Sequence, residues 1–288
     1  MNFEAFSEDI RKNGWNIFGV ELYEQGKLTH SYGDTTEEIH DLYSATKSIV
    51  SIAAGIVYDR GLIDFDKSIL EYLPADKVSK ISSEQKKTWG QITVKRLMSM
   101  SVEGLPFAHE GDSYIDFCLN QKLENPEKRG FYYSNLNSYL VGVALTEILG
   151  EDLGAFIEKN LFEPLEIKTF KYKRCPEGYF YGSTGMNLTV HDFSKIGRLV
   201  YDGGVFEGKR IVSEEYVRMA TSVRQMNREG GYGFFFWKYK DGFSMNGKLG
   251  QKCYCRPEKG LMMTFLSNMD EGFNDVMSSV GKNIWDEE

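Results

Sequence analysis

Two strand-like runs rich in aromatic and branched residues flank the polar turn "EQGK" within residues 15–33, "WNIFGVELYEQGKLTHSYG". This pattern predicts a hairpin. The next segment, "LYSATKSIVSIAAGIVYDRG" at residues 42–61, is apolar nearly all round, from Ile49 to Val57 with Ser51 interrupting. Such a helix is buried rather than amphipathic, and Gly61 is a fitting left-handed cap. From about residue 64 to 190 helical patterns dominate, in "ITVKRLMSM", "SNLNSYLVGVALTEILG" and "DLGAFIEKNLF". Two more helices, "VHDFSKIGRLVYDGG" and "SEEYVRMATSV", follow. Strand character then returns in "GYGFFFWKYK", "QKCYCRP" and "GLMMTFLSN", before a last helix from about Asn274 to Trp285.

Strands at both ends with helices between predict an α/β (α+β) fold. One antiparallel sheet, built from the two termini and flanked by helices, would carry an inserted, mostly helical lobe. The expected organisation is a single catalytic domain over residues 1–288. Its sheet lobe would comprise 1–63 plus 190–288 and its helical lobe 64–189, with a cleft between them as the natural site. In "GYGFFFWKY", Phe234 to Trp237 are expected to alternate across a strand, two into the core and two toward the cleft.

Composition narrows the function. The chain is 41% hydrophobic and 26% charged, which is globular. A net charge of −8 without a basic arm argues against nucleic acid. The start, "MNFEAFSEDIRKNGW", carries acids where a signal peptide has its apolar stretch, and the longest apolar run is far short of a membrane span. A cytoplasmic protein with no membrane partner is expected. Cys118, Cys175, Cys253 and Cys255, with four scattered histidines, make no metal-ligand spacing. No metal and no cofactor is expected, and the thiols read as reduced and structural.

The candidate chemistry lies in three short motifs. Ser-x-x-Lys occurs three times, at Ser44–Lys47, Ser83–Lys86 and Ser279–Lys282. Ser83 sits in a polar stretch that reads as a solvated loop, and Ser279 in the polar last helix. Ser44 and Lys47 instead lie one turn apart at the mouth of the buried helix. The helix N-terminus favours negative charge on a serine oxygen, and desolvation lowers the proton affinity of a lysine. A neutral lysine amine can take the serine proton, giving an activated nucleophile. From this helix alone a serine cap with a snorkelling lysine explains the pair equally well. Tyr133-Ser134-Asn135 is the only Tyr-x-Asn; it begins a helix that Asn135 is placed to cap, with Tyr133 toward the cleft. Of four Lys-x-Gly triplets, only Lys248-Leu249-Gly250 leads directly into a predicted strand.

That order of motifs, each at an element edge, resembles the serine β-lactamase and penicillin-binding-protein superfamily, in its class C-like esterase, peptidase and amide-hydrolase branch. The resemblance extends to "LYSATKSIVSIAAGIVYDRGLIDFDKSILEYLP", "ITVKRLMSMSVEGLP", "FYYSNLNSYLVGVALTEILG", "STGMNLTVHDFSKIGRLVYDGG" and "GKLGQKCYCRPEKGLMMTFLSN". It implies Ser44 as acyl-accepting nucleophile, Lys47 as its proton partner and Tyr133 as shared base and leaving-group acid. Asn135 would orient Lys47 or hold the substrate carbonyl side. Lys248 would favour a Tyr133 phenolate, and the N–H groups of Ser44 and Gln251, the latter just after Gly250, would form the oxyanion hole. The implied function is a serine hydrolase of small esters or amides. The alternatives are a β-lactamase, a D-amino-acid peptidase, or a catalytically silent binding protein of the same fold. In similar β-lactamases a hydroxyl residue usually fills the middle of Lys-x-Gly; here it is Leu249.

Overall fold

The computed structural model describes residues 1–285. The chain opens with a helix, α1 (Phe3–Asn13), in which Phe3, Phe6 and Ile10 fall on one buried stripe. The sequence reading did not foresee it. Strands β1 (Ile17–Glu24) and β2 (Lys27–Gly33) form the expected hairpin. Its turn places Gln25 and Gly26 both at positive φ, the backbone a tight two-residue hairpin needs. A short β3 (His40–Asp41) and a 3₁₀ turn (Tyr43–Ala45) lead into α2 (Thr46–Asp59), buried as far as Val57. Gly61 follows at φ +70.

Short helices come next: α3 (Ala75–Lys80), α4 (Ser83–Trp89), α5 (Val94–Met98) and α6 (Tyr114–Leu119). The segment around Ser83 is therefore a helix rather than a loop. Ser82 and Gln85 close a reciprocal capping box that starts it. The long buried α7 (Asn135–Leu149) ends at Gly150, and α8 (Leu153–Ile157) runs on into a π-helical turn. Strand β4 (Asn187–Leu188) pairs with β3, and α9 (Val190–Tyr201) follows. A small hairpin, β5 (Val205–Phe206) and β6 (Lys209–Arg210), precedes α10 (Glu214–Thr221). The chain closes with β7 (Trp237–Tyr239), β8 (Gly242–Asn246), β9 (Lys252–Arg256), β10 (Leu261–Ser267) and α11 (Phe273–Asn283).

The main sheet is six-stranded and antiparallel, in the order β2-β1-β10-β9-β8-β7, so strands from both ends of the chain do join one sheet. β8 was not foreseen. β7 is shorter than the predicted strand, because Phe235 at φ +60 breaks the extended backbone. In consequence Phe234, Phe235 and Phe236 are all buried rather than alternating, and only Trp237 keeps a face toward solvent.

One sheet face is covered by α1 and α11, through Phe6, Ile10, Val20, Leu22, Phe265 and Val276. The larger core lies on the other face, where α9 packs on β9 and β10 and α2 packs on α7. A methyl at Gly197 of α9 would collide with Cys253 Sγ, so the glycine permits this close approach. Cys253 and Cys255 share the face toward α9, as residues two apart on a strand do. No helix among the described residues is long and apolar enough to cross a membrane.

Candidate active site

The 3₁₀ turn before α2 sets the geometry. Tyr43 takes positive φ (+46), and its N–H donates to Asp41 Oδ1 at 2.7 Å. Ser44 is thereby half-buried just ahead of α2, and its own N–H has no hydrogen-bond partner among the described residues. A methyl at Gly247, just past β8, would strike the Leu42 carbonyl oxygen. That close approach brings the end of β8 against the turn that carries Ser44.

Lys47 lies one turn on, 1% exposed and without a carboxylate partner. Its Nζ donates to Asn135 Oδ1 at 2.7 Å and to the Ser183 carbonyl at 2.9 Å, and it lies 3.0 Å from Ser44 Oγ. Burial lowers its pKa to about 7, because the charged form loses hydration with no opposite charge to replace it. In the neutral amine two N–H bonds satisfy the two carbonyl acceptors. The lone pair is then left facing the Ser44 hydroxyl. Buried hydroxyls brace the clamp: Ser183 Oγ lies 2.5 Å from the Asn135 carbonyl and 2.9 Å from Ser138 Oγ.

Tyr133 enters from the start of α7. Its ring closes over the same point, with Lys47 Nζ 5.0 Å from the ring centre. Burial pushes the phenol up to about 12, the nearby Ser44 hydroxyl opposes this and the Glu229 charge adds to it. The phenol is thus held neutral near pH 7. The cap of α7 is Ser134, whose Oγ accepts from Leu136 N at 3.0 Å. Asn135 is the first helical residue instead, which frees its side chain for Lys47.

Aromatic rings surround Tyr133. Trp237 stacks on it at 5.7 Å and Phe107 at 6.3 Å, with Phe131 at 6.1 Å and Tyr232 edge-on at 6.2 Å. The loop bearing Phe107 is tied to α7 by Asn135 N donating to the Phe107 carbonyl (2.8 Å) and Ser134 Oγ to the Pro106 carbonyl (2.6 Å). The segment bearing Trp237 is tied to α2, where Ser48 Oγ donates to the Phe235 carbonyl at 2.6 Å.

The Lys248-Leu249-Gly250 segment leads into β9, as its sequence predicts. It is a 3₁₀ turn with Leu249 at φ +60, and the Lys248 side chain is exposed with no hydrogen bond or ion pair among the described residues. Gly250, at φ +84, lies against Ser267 Oγ and the Phe273 ring where a methyl would not fit. The Gln251 side chain pairs with β10, donating to the Ser267 carbonyl (2.8 Å) and accepting from Ser267 N (2.9 Å). Its own N–H makes only a long contact to the Lys248 carbonyl, at 3.4 Å. The perturbed cation of this region is Lys252, whose pKa burial lowers while Glu229 opposes the shift. Asn246 Oδ1 is buried with no hydrogen bond among the described residues. Neither residue stands in a motif that would have revealed it, nor does the Ser183 carbonyl.

The other two Ser-x-x-Lys serines lie elsewhere. Ser83 begins the exposed α4, and Ser279 Oγ donates to Asp9 Oδ2 at 2.6 Å beneath α1. All four cysteines are buried free thiols. Among the described residues no group of three or more His, Cys, Asp or Glu side chains is placed to hold a metal ion.

The family model "Beta-lactamase" matches residues 18–278, and the chain belongs to that family. It falls within the serine β-lactamase and penicillin-binding-protein superfamily. Among curated proteins it is similar to the 6-aminohexanoate-dimer hydrolase of Paenarthrobacter ureafaciens, 21% identical over 217 residues. The match takes in 69% of this chain but only 55% of that enzyme's length. Two solved structures share the fold. A Mycobacterium bovis β-lactamase superposes with TM-score 0.68 at 18% identity, covering 96% of this chain and 98% of that one. The octameric penicillin-binding protein homologue of Pyrococcus abyssi gives 0.72 at 17%, covering 100% and 78%.

Proposed function

We propose that this chain is a serine hydrolase that cleaves small esters or amides through an acyl-enzyme. One observation carries the reading: a buried lysine without a carboxylate partner touches a half-exposed serine at the start of a buried helix. An ammonium placed there for structure would need a counter-ion, whereas a base needs the lowered pKa that burial provides.

In this mechanism the Lys47 amine removes the Ser44 proton as Oγ attacks the substrate carbonyl. The Ser44 N–H, free of other partners, receives the oxyanion, with Gln251 N–H as second donor. Each such donor is worth about 3–4 kcal/mol in other enzymes. Tyr133, a neutral phenol beside Ser44 and Lys47, protonates the departing alcohol or amine. The proton held on Lys47 is then returned to the Tyr133 oxygen, which restores the phenol and the neutral amine. Water, deprotonated by the same lysine, hydrolyses the acyl-enzyme and frees Ser44. Asn135 and the Ser183 carbonyl hold the amine in register throughout.

Leu249 offers no hydroxyl to a substrate carboxylate, and the curated relative is named as the hydrolase of a 6-aminohexanoate dimer. Both favour open-chain esters or amides over penicillins. The test is fluorophosphonate labelling of wild type and Ser44→Ala, with kcat/KM for a p-nitrophenyl ester and for nitrocefin. Labelling confined to wild type, with the ester the better substrate, is expected. Efficient nitrocefin turnover would replace this reading with a β-lactamase, and absent labelling would leave a binding protein.

A further inference from the structure

The aromatic rings around Tyr133 are not all core. Phe107 is 61% exposed, yet its ring is stacked on Tyr133 with an interplanar angle of 27°. Trp237, half-buried, stacks on Tyr133 at 26°, and Phe131 bridges the two rings as neighbour to both Tyr133 and Trp237. A ring left this far in water, with backbone hydrogen bonds fixing its loop to α7, is a contact surface rather than a core residue.

Resting on the hydrolase reading, we infer that Phe107 and Trp237 are specificity residues that receive a flat, apolar leaving group. The hydroxyl expected to protonate the leaving atom belongs to Tyr133. The rings packed on Tyr133 therefore flank the side of the scissile bond from which that group departs. A flat ring docked there gains offset stacking, worth about 0.5–1.5 kcal/mol per aromatic pair, whereas a short alkyl group covers little of either surface. Aryl and arylalkyl esters or amides are the favoured substrate class.

Esters sharing one acyl group test this, because they form the same acyl-enzyme and differ only in the step that expels the leaving group. The readout is the kcat/KM ratio of 1-naphthyl acetate to ethyl acetate. In Phe107→Ala that ratio should fall about fivefold to tenfold, equal to about 1–1.4 kcal/mol, while Phe107→Trp should keep it. A second series holds p-nitrophenol constant and varies the acyl group from acetyl to phenylacetyl, and Phe107→Ala should leave that ratio as in wild type. An unchanged naphthyl-to-ethyl ratio overturns the inference. So does a change confined to the acyl series, which would assign the rings to the acyl group. If wild type hydrolyses neither ester, the hydrolase reading fails by itself. Quenching of tryptophan fluorescence by p-nitrophenol then decides on the rings: saturable binding weakened at least fivefold in Phe107→Ala supports the aromatic site, and equal binding refutes it.

Discussion

Replacing Lys47 by methionine separates the electrostatic cost of the lysine from its contacts. The native pKa of about 7 lies well below the ordinary value of 10.5. Between those values the unfolded chain holds a proton that the native protein has released, so native stability rises with pH across the window. Each unit is worth about 1.4 kcal/mol. From pH 6 to pH 9, wild type should therefore gain about 2–3 kcal/mol that Lys47→Met, having nothing to titrate there, does not. Methionine also leaves Asn135 Oδ1 and the Ser183 carbonyl without their donor, about 1–3 kcal/mol for each buried group. That loss is independent of pH. It offsets the difference between the proteins without changing its slope. Urea denaturation of both at pH 6, 7, 8 and 9 gives the curve directly, since all other titrations cancel in the difference. In parallel, wild-type kcat/KM should fall below about pH 7 as the amine becomes protonated. A stability difference flat from pH 6 to 9 would show that Lys47 stays charged there, and the base would have to be sought elsewhere.

Three shorter predictions follow from the same site and its surroundings. Ser44→Ala should abolish fluorophosphonate labelling and ester hydrolysis, whereas Ser83→Ala and Ser279→Ala should keep both; Ser279→Ala alone should lose about 1 kcal/mol in urea denaturation, through its bond to Asp9. Tyr133→Phe should lower amide hydrolysis by about 10²-fold or more and p-nitrophenyl ester hydrolysis much less, because p-nitrophenolate departs without a proton; equal losses would count against a donor role. His191 Nδ1 lies 2.9 Å from buried Glu21, which raises the His191 pKa. That pair is fully present below the ordinary histidine value and lost as pH rises through the raised one, so His191→Ala should cost about 2 kcal/mol at pH 6 and less at pH 8 in urea denaturation.

How much of this was legible depended on the range of the interactions involved. Ser44 and Lys47 stood out because a charge at the mouth of an all-apolar helix is a local anomaly, visible without knowing the fold. The β1–β2 hairpin and the ends of α2 and α7 were equally local, set by Gly26, Gly61 and Gly150. The misjudged parts were decided at a distance. Phe235 abandons the strand because Ser48 and the Met98 carbonyl bind its backbone from two helices. Lys248 stands exposed in the short turn between β8 and β9. Asn135 was assigned the cap because both it and Ser134 are good cap residues, and only the position of Lys47 settles which of them is free. The Ser183 carbonyl left no trace, since every residue has one. Helix α1 is absent from the predicted elements although Phe3, Phe6 and Ile10 carry its period.

The two mounts of the aromatic wall set unequal limits on how the cleft can diversify. Trp237 follows a backbone held at Phe235 by Ser48, the residue next to Lys47. A substitution that reshapes that side pulls on the nucleophile helix, so a gain in selectivity there carries a loss in turnover. The loop bearing Phe107 is tied to α7 through the Pro106 and Phe107 carbonyls, which accept bonds whatever side chain residue 107 bears. Variation at residue 107 can therefore retune the surface beside Tyr133 while these backbone ties persist. A library directed at new substrates belongs at residue 107, with residues 234–236 left unchanged.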